Sequence, residues 1–375
     1  GRRRRTRKED AVNGPDLIPS PDALPLPAGV PLLHVLLLVT FYLHVAFMNA
    51  LLGGVVLALV ARLRARAGDD HWRRLAVDLG RLLPTLVAGT VTLGVAPLLF
   101  LQVLYGQFFY TASILTAWPW LGMVVLVMVA YYALYGHALG TDGRPALATV
   151  LAGVAAAMLL LVAFVFGNVT TLMLTPARWG GIYFADATGL NLNLSEPMLP
   201  PRWLHMVLGA VAVGGLLLAV WERWGWRRAG EEGRRRRRLG LRLFTWATAV
   251  NILAGLWFFL ALARPVRRLM MGDSLLATAL FGIGFLLTLA LLAVAGIAAR
   301  RDSARGLAAT GIGTAVLLAD MLVLRDQVRD GYLTSLYDPA SLAVEPQVGN
   351  LVLFALLLVA GLATVTWMVR RLVRS

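Results

Sequence analysis

The sequence encodes an all-α, polytopic transmembrane bundle of about nine helices, and three observations lead there. Its 375 residues are 59% hydrophobic and only 15% charged. The mean hydropathy of +0.73 is far too apolar for an ordinary soluble domain. The uncharged runs match the thickness of a bilayer, whose hydrocarbon core takes ~20 apolar residues to cross as a helix. Arginines, finally, crowd alternate connections between those runs.

Residues 1–29 form a basic, Pro-rich tail, in which GRRRRTRKED gives way to PDLIPSPDALPLPAGVP, an extended linker. No apolar core of signal-peptide length follows the basic residues directly. Residues 30–375 form one transmembrane helical domain. Runs without Asp, Glu, Lys or Arg cover 30–61, 82–109, 114–139, 146–174, 203–221, 243–263, 274–299, 306–319 and 347–369. Each is close to or above spanning length except the eighth, which reaches Leu324 if Asp320 is tolerated. Transporters often show internal repeats and broken helices, and no convincing repeat is evident here.

The connection after the first span carries Arg62, Arg64, Arg66, Arg73, Arg74 and Arg81. That after the fifth reads RRAGEEGRRRRRLGLR, that after the seventh ARRDSARG, and the chain closes on RRLVRS. The positive-inside rule places these in the cytoplasm and the N-terminus outside, in a bacterial inner membrane. The basic GRRRRTRKED, which would have to be translocated, runs against that orientation. The net charge of +15 is almost all arginine, Lys8 being the only lysine; it is not read as a nucleic-acid footprint. Membrane lipid is the expected surround. The run at 234–238 reads as a topology determinant.

Cysteine is absent, so no disulfide, thiolate metal site or CxxCH haem attachment is available. Any haem must be held non-covalently. Of five histidines, His34 and His44 fall in the outer half of the first span and His205 at the outer end of the fifth. His137 falls near the inner end of the third, and His71 in an inner loop as a solvated residue. Asp320 is the only carboxylate well inside a span, near the outer end of the eighth; its insertion costs roughly 2.5–3.5 kcal/mol and calls for a partner. PVRRLMMGD, between the sixth and seventh spans, brings Met270 and Met271 to the outer surface with Arg264, Arg267 and Arg268. Imidazole, thioether and carboxylate can all ligate haem iron, and arginines suit propionates. Plainer readings stand beside these: His34 and His137 as interhelical hydrogen-bonding groups, and the methionines as gap-filling side chains.

Several segments resemble one family. TFYLHVAFMNALLGG is similar to the first helix of cytochrome bd oxidase subunit I, whose histidine ligates a haem and is followed nine residues later by a glycine, as Gly53 follows His44. TLGVAPLLFLQVLYG resembles that subunit's GVA segment, with Gln102 in place of a glutamate and Gly106 retained. RWLHMVLGAVAVGG resembles the segment carrying the histidine ligand of a low-spin haem b, a position answered by His205. RRLMMG is similar to the segment of the opposing methionine, which places Met270 there with Met271 as the alternative.

Departures shape what the resemblance implies. The family's two membrane glutamates on the third helix are replaced in PWLGMVVLVMVAYYAL by neutral residues, with Met123 and Tyr131 near those positions. The long quinol-binding loop shrinks to roughly ten residues. LVLRDQVRDGYL replaces the motif after the eighth helix, although Asp320 lies about where the family has a haem-ligating glutamate. The resemblance implies a subunit holding one or more non-covalent b haems through His44, His205 and Met270, with Asp320 a further candidate ligand. It would relay electrons between quinone or quinol and an extracytoplasmic c-type cytochrome. A divergent quinol oxidase that reduces dioxygen, and a haem-free transporter or structural subunit, are the alternatives.

Overall fold

The computed structural model describes residues 24–139, 144–226 and 230–374. Most of the basic tail therefore lies outside the described residues. Among the described residues nine helices are long and apolar enough to cross a membrane. They are α1 (Val30–Ala65), α2 (Asp70–Leu115), α3 (Ala117–Leu139), α4 (Pro145–Met173), α6 (Leu199–Val220), α7 (Gly230–Ala261), α9 (Leu275–Arg301), α10 (Ala304–Leu333) and α11 (Val348–Arg374). Two short helices, α5 (Trp179–Ala185) and α8 (Arg264–Arg268), lie in connections. The chain is a multi-pass membrane protein. Its N-terminal end of α1 is termed the outer end, following the arginine distribution.

Three helices are longer than their apolar runs. Asp69 caps α2, accepting from the His71 N–H at 2.8 Å, so the helix starts about three turns before the hydrophobic stretch. α7 begins at Gly230 and takes the arginine run of 234–238 into its first turns. α10, capped by Ser303, continues without a proline to Leu333. Asp320 is therefore well inside the helix rather than near its outer end, and Arg325, Asp326, Arg329 and Asp330 are helical. The i,i+3 pair Asp326–Arg329, with Asp330 also on Arg329, sets opposite charges against each other, which makes the extension tolerable.

The helices form two equivalent groups, a feature the apolar pattern alone does not reveal. α1–α2–α3–α4 corresponds in order and packing to α6–α7–α9–α10, and residue numbers shift by 161 between them: His44 to His205, Gly53 to Gly214, Thr90 to Asn251, Gly94 to Gly255. The reading of no repeat is thus corrected. Identity is confined to a few positions, which the packing requires. α1 crosses α6 at Gly53 and Gly214, so close that a Cβ on Gly53 would collide with the Ala210 carbonyl. Gly215 meets Gly240 of α7 similarly, a Cβ there standing 2.7 Å from its carbonyl oxygen. With lipid on every side, such small-residue contacts supply the van der Waals attraction that holds helices together. α11 stands at the periphery, touching the bundle through contacts such as Phe354 on Phe100.

Ion pairs fasten the inner ends. Arg236, fully buried on α7, reaches Asp78 of α2 at 2.7 Å and Glu232 at 2.9 Å, with Glu222 at 3.7 Å. His71 is not a solvated loop residue: it is buried at 3% exposure and its Nδ1 lies 2.9 Å from Glu232. Arg237 forks onto Asp302 at the end of α9. The run at 234–238 thus clamps α2, α7 and α9 together, which is more than a topology signal. Outside, the segment before α1 pairs with the α10–α11 connection through the Leu26 N–H and the Ala343 carbonyl at 2.8 Å.

Candidate cofactor site

His44 and His205 lie at the same depth, because each precedes by nine residues one of the two glycines at which the parallel helices α1 and α6 cross. Each turns its ring onto the next helix. His44 Nδ1 is 3.0 Å from the Thr90 carbonyl oxygen of α2, and His205 Nδ1 is 3.3 Å from the Asn251 carbonyl oxygen of α7. In both cases the partner is 46 residues further along the chain. One turn beyond each carbonyl is a glycine. A Cβ on Gly94 would stand 2.8 Å from His44 Cε1, and one on Gly255 3.0 Å from His205 Cε1. The rings fit only because these side chains are absent.

A carbonyl oxygen can only accept, so Nδ1 donates and a neutral ring keeps its lone pair on Nε2. Neither Nε2 makes a hydrogen bond among the described residues. The Asn251 side chain also approaches the His205 ring. The outcome is two oriented imidazoles, each with a free donor atom and a fixed tautomer.

Aromatic rings and arginines flank them. Phe41 stacks on His44 with centroids 6.3 Å apart, and Arg325 lies 4.5 Å over Phe41. Phe258 stacks on His205 at 6.5 Å, and Arg202 lies 6.0 Å over Phe258. Arg202 and Arg325 are within repelling range of each other, and neither forms an ion pair among the described residues. A third arginine is neutralised: Arg329 pairs with Asp326, and with Asp330 at 3.0 Å. It lies 4.1 Å over the Tyr105 ring and 3.4 Å from His34 Nε2, which is itself 3.0 Å from the Tyr105 hydroxyl. Two half-buried guanidinium groups without an ion pair among the described residues make this an anion-seeking region.

The other sequence candidates are dispersed. His34 joins the Tyr105–Arg329 network rather than standing alone. Gln102 is half-buried on α2, two turns outward of Gly94. Met270 is 5% exposed, packed in one cluster with Val266 and Ala277, whereas Met271 is 71% exposed and shares an open groove with Arg264, Arg267 and Arg268. Asp320 faces Gly284 of α9, and its Oδ2 is buried without a hydrogen-bond partner among the described residues. His137 is fully buried, its Nδ1 3.0 Å from the Ala148 carbonyl oxygen. Tyr131, half-buried against the core, bonds the exposed Tyr135 on α3. Among the described residues no group of three or more His, Asp or Glu could hold a bare metal ion.

Arg202, Arg325, Arg329 and Tyr105 were absent from the sequence candidates. Arg202 stands one turn before His205 in the quoted segment, spacing that puts both on one face. The α10 arginines carried a signal in the unbroken helical spacing from 304 to 333.

No family model matches the sequence, and no curated protein matches it. Among solved structures it is similar to a chain of the bd oxidase from Geobacillus thermodenitrificans, with a TM-score of 0.76 and 17% identity over 92% of this chain and 98% of that one. The protein therefore has the fold of a bd oxidase chain, spanning nearly all of it.

Proposed function

We propose that the chain is a membrane-embedded b-type haem subunit relaying electrons between the quinone pool and an extracytoplasmic c-type cytochrome. The observation that carries this reading is the twice-built imidazole: His44 on Thr90 and His205 on Asn251, each over a glycine and each with Nε2 free. His137, on the Ala148 carbonyl and against Gly80, also keeps a buried Nε2 without a partner among the described residues, but no aromatic ring stacks on it as Phe41 and Phe258 do on His44 and His205. Axial ligation needs a free nitrogen, with the other nitrogen fixed by a second-shell acceptor that raises basicity.

The donor set fits haem. His44 and His205 would each ligate one iron. Met270, buried where Met271 is exposed, is the better candidate to oppose His205. Arg202 and Arg325, without an ion pair among the described residues, suit propionates better than the open Arg264, Arg267 and Arg268. Bound haem supplies a one-electron couple whose potential the ligands, burial and nearby charge set. The chain's own contribution is to orient the rings, exclude water and hold cations near the site. A bacterial inner membrane is the setting this role implies.

A second reading, a divergent quinol oxidase reducing dioxygen, draws support from Asp326 and Asp330. With Tyr105 and His34 they supply buried and half-buried protonatable groups in place of the absent glutamates. Reduced-minus-oxidised spectra of the purified protein and of His44→Ala and His205→Ala test the first reading. A b-type spectrum with one component lost in each variant is expected; a colourless protein, or full wild-type spectra in both variants, overturns it. Air-dependent quinol consumption would replace it with the second.

A further inference from the structure

Three arginines stand at the outer end of the bundle, where the topology keeps cations scarce. Arg264, Arg267 and Arg268 follow the last turn of α7 and line one groove of about 340 Å³ with Phe259, Leu260 and Met271. The sixth residue, Met271, is held there by a turn through Gly272, whose φ of 128° a residue with a Cβ would adopt only under strain. Arg267 donates to the Leu260 carbonyl at 2.7 Å and so closes the end of α7. Among the described residues none of the three pairs with a carboxylate, Asp273 of the same connection included.

The groove has two parts of opposite chemistry. Its rim is cationic, and its wall is apolar and outward-facing: Leu260 is 63% and Met271 71% exposed. Its position is also fixed, since Phe259 and Leu260 end a transmembrane helix, placing the arginines at headgroup depth and the wall along the acyl chains. We propose that this groove binds an anionic glycerophospholipid, its phosphate forked by Arg264 and Arg268 and an acyl chain laid on Phe259 and Leu260. Arginine suits the task, because its planar fork meets phosphate oxygens in pairs. A zwitterionic lipid offers the same phosphate but adds a cation against the rim, so the site discriminates by net headgroup charge. The inference stands apart from the haem reading, which does not use these arginines.

Native mass spectrometry of the detergent-purified full chain, titrated separately with phosphatidylglycerol and phosphatidylcholine, tests it. The wild-type chain is expected to retain phosphatidylglycerol in preference. In Arg264→Gln/Arg268→Gln that affinity should fall at least about tenfold, because both charge-assisted contacts are lost. Phosphatidylcholine binding should not change. Equal retention of both lipids by the wild-type chain, or undiminished phosphatidylglycerol binding by the double variant, overturns the proposal. If the double variant does not fold, the single variant Arg264→Gln is measured against the same criterion. Loss of haem from a variant that keeps its lipid would give the arginines to the propionates and would also overturn it.

Discussion

The two ends of this bundle treat charge in opposite ways. At the inner end Arg236 and Arg237 are drawn out of water, and carboxylates from three helices meet them: Asp78, Glu232 and Asp302. In the outer half Arg202 and Arg325 are half-buried beside phenylalanine faces and each other, and neither forms an ion pair among the described residues, although Asp326 lies near Arg325. Fully paired charges fasten helices and have little left to offer a ligand. Unpaired ones keep a desolvation cost that a ligand with negative groups removes. His71 spends its Nδ1 on Glu232 at the inner end, while His44 and His205 in the outer half bond a backbone carbonyl, as His137 does toward the inner end, and add a stacked phenylalanine beside the ring.

This contrast is broken most directly at the histidines. His44→Ala and His205→Ala should each remove about one haem equivalent, because the sites occupy equivalent places in the two halves. Haem-to-protein ratio and the split of the α band would measure it. Gly94→Val and Gly255→Val should mimic the two losses, since a side chain at either glycine strikes the imidazole. Unequal effects, with one histidine variant keeping all its haem, would leave the repeat as packing only.

Next in size is the clamp. Arg236→Leu strands Asp78 and Glu232 and should destabilise the protein by about 3–5 kcal/mol, with the spectrum of the remaining folded protein unchanged. Thermal denaturation followed by tryptophan fluorescence would show it. An altered haem spectrum without lost stability would reverse the roles assigned to the two ends.

Arg325→Gln sharpens the outer half of the comparison. A nearby cation favours the reduced, less positive state of a haem, so its removal should lower the midpoint potential of the His44 site. A shift of ~60 mV corresponds to ~1.4 kcal/mol for one electron. Stability should change little, since Arg325 forms no ion pair among the described residues and its neighbour Asp326 keeps Arg329. A redox titration that finds no shift would move Arg325 away from the cofactor.

Much of this was legible in the sequence, and what was not has physical reasons. The nine spans follow from hydropathy, which is dictated by the solvent on each helix's outer face. The likeness of RWLHMVLGAVAVGG to a haem-binding helix rests on short-range spacing, and Gly214 proves to be a crossing point. The 161-residue repeat went unseen because it survives only where a ring or a backbone must fit, while lipid-facing positions accept any apolar residue. The α10 charges read as a loop because hydropathy marks where a helix leaves hydrocarbon, not where it ends. Their partners, Tyr105 and His34, lie on other helices, and no periodicity within α10 points to them.

The smallest expected effect lies at the rim of the clamp. Asp302 ends α9 in the left-handed region, with φ of 49°, and accepts a forked bond from Arg237. That bond, with help from the charge of Arg237, holds the Asp302 carboxyl below the usual aspartate range, against the opposing effect of partial burial. A carboxyl depressed in the folded state stabilises above its unfolded value of about 3.9. That contribution is lost as pH falls through the lower, folded value. The Asp302 side chain is half-buried at the inner end of α9, where solvent still screens the pair, so the amount is about 1 kcal/mol. Asp302→Asn tolerates the same backbone region and keeps one acceptor, removing only the charge. It should lower the melting temperature slightly at neutral pH, and wild type and variant should converge as pH falls below about 3.9. A difference that persisted undiminished in acid would mean that the fork's shape, rather than its charge, joins α7 to the end of α9.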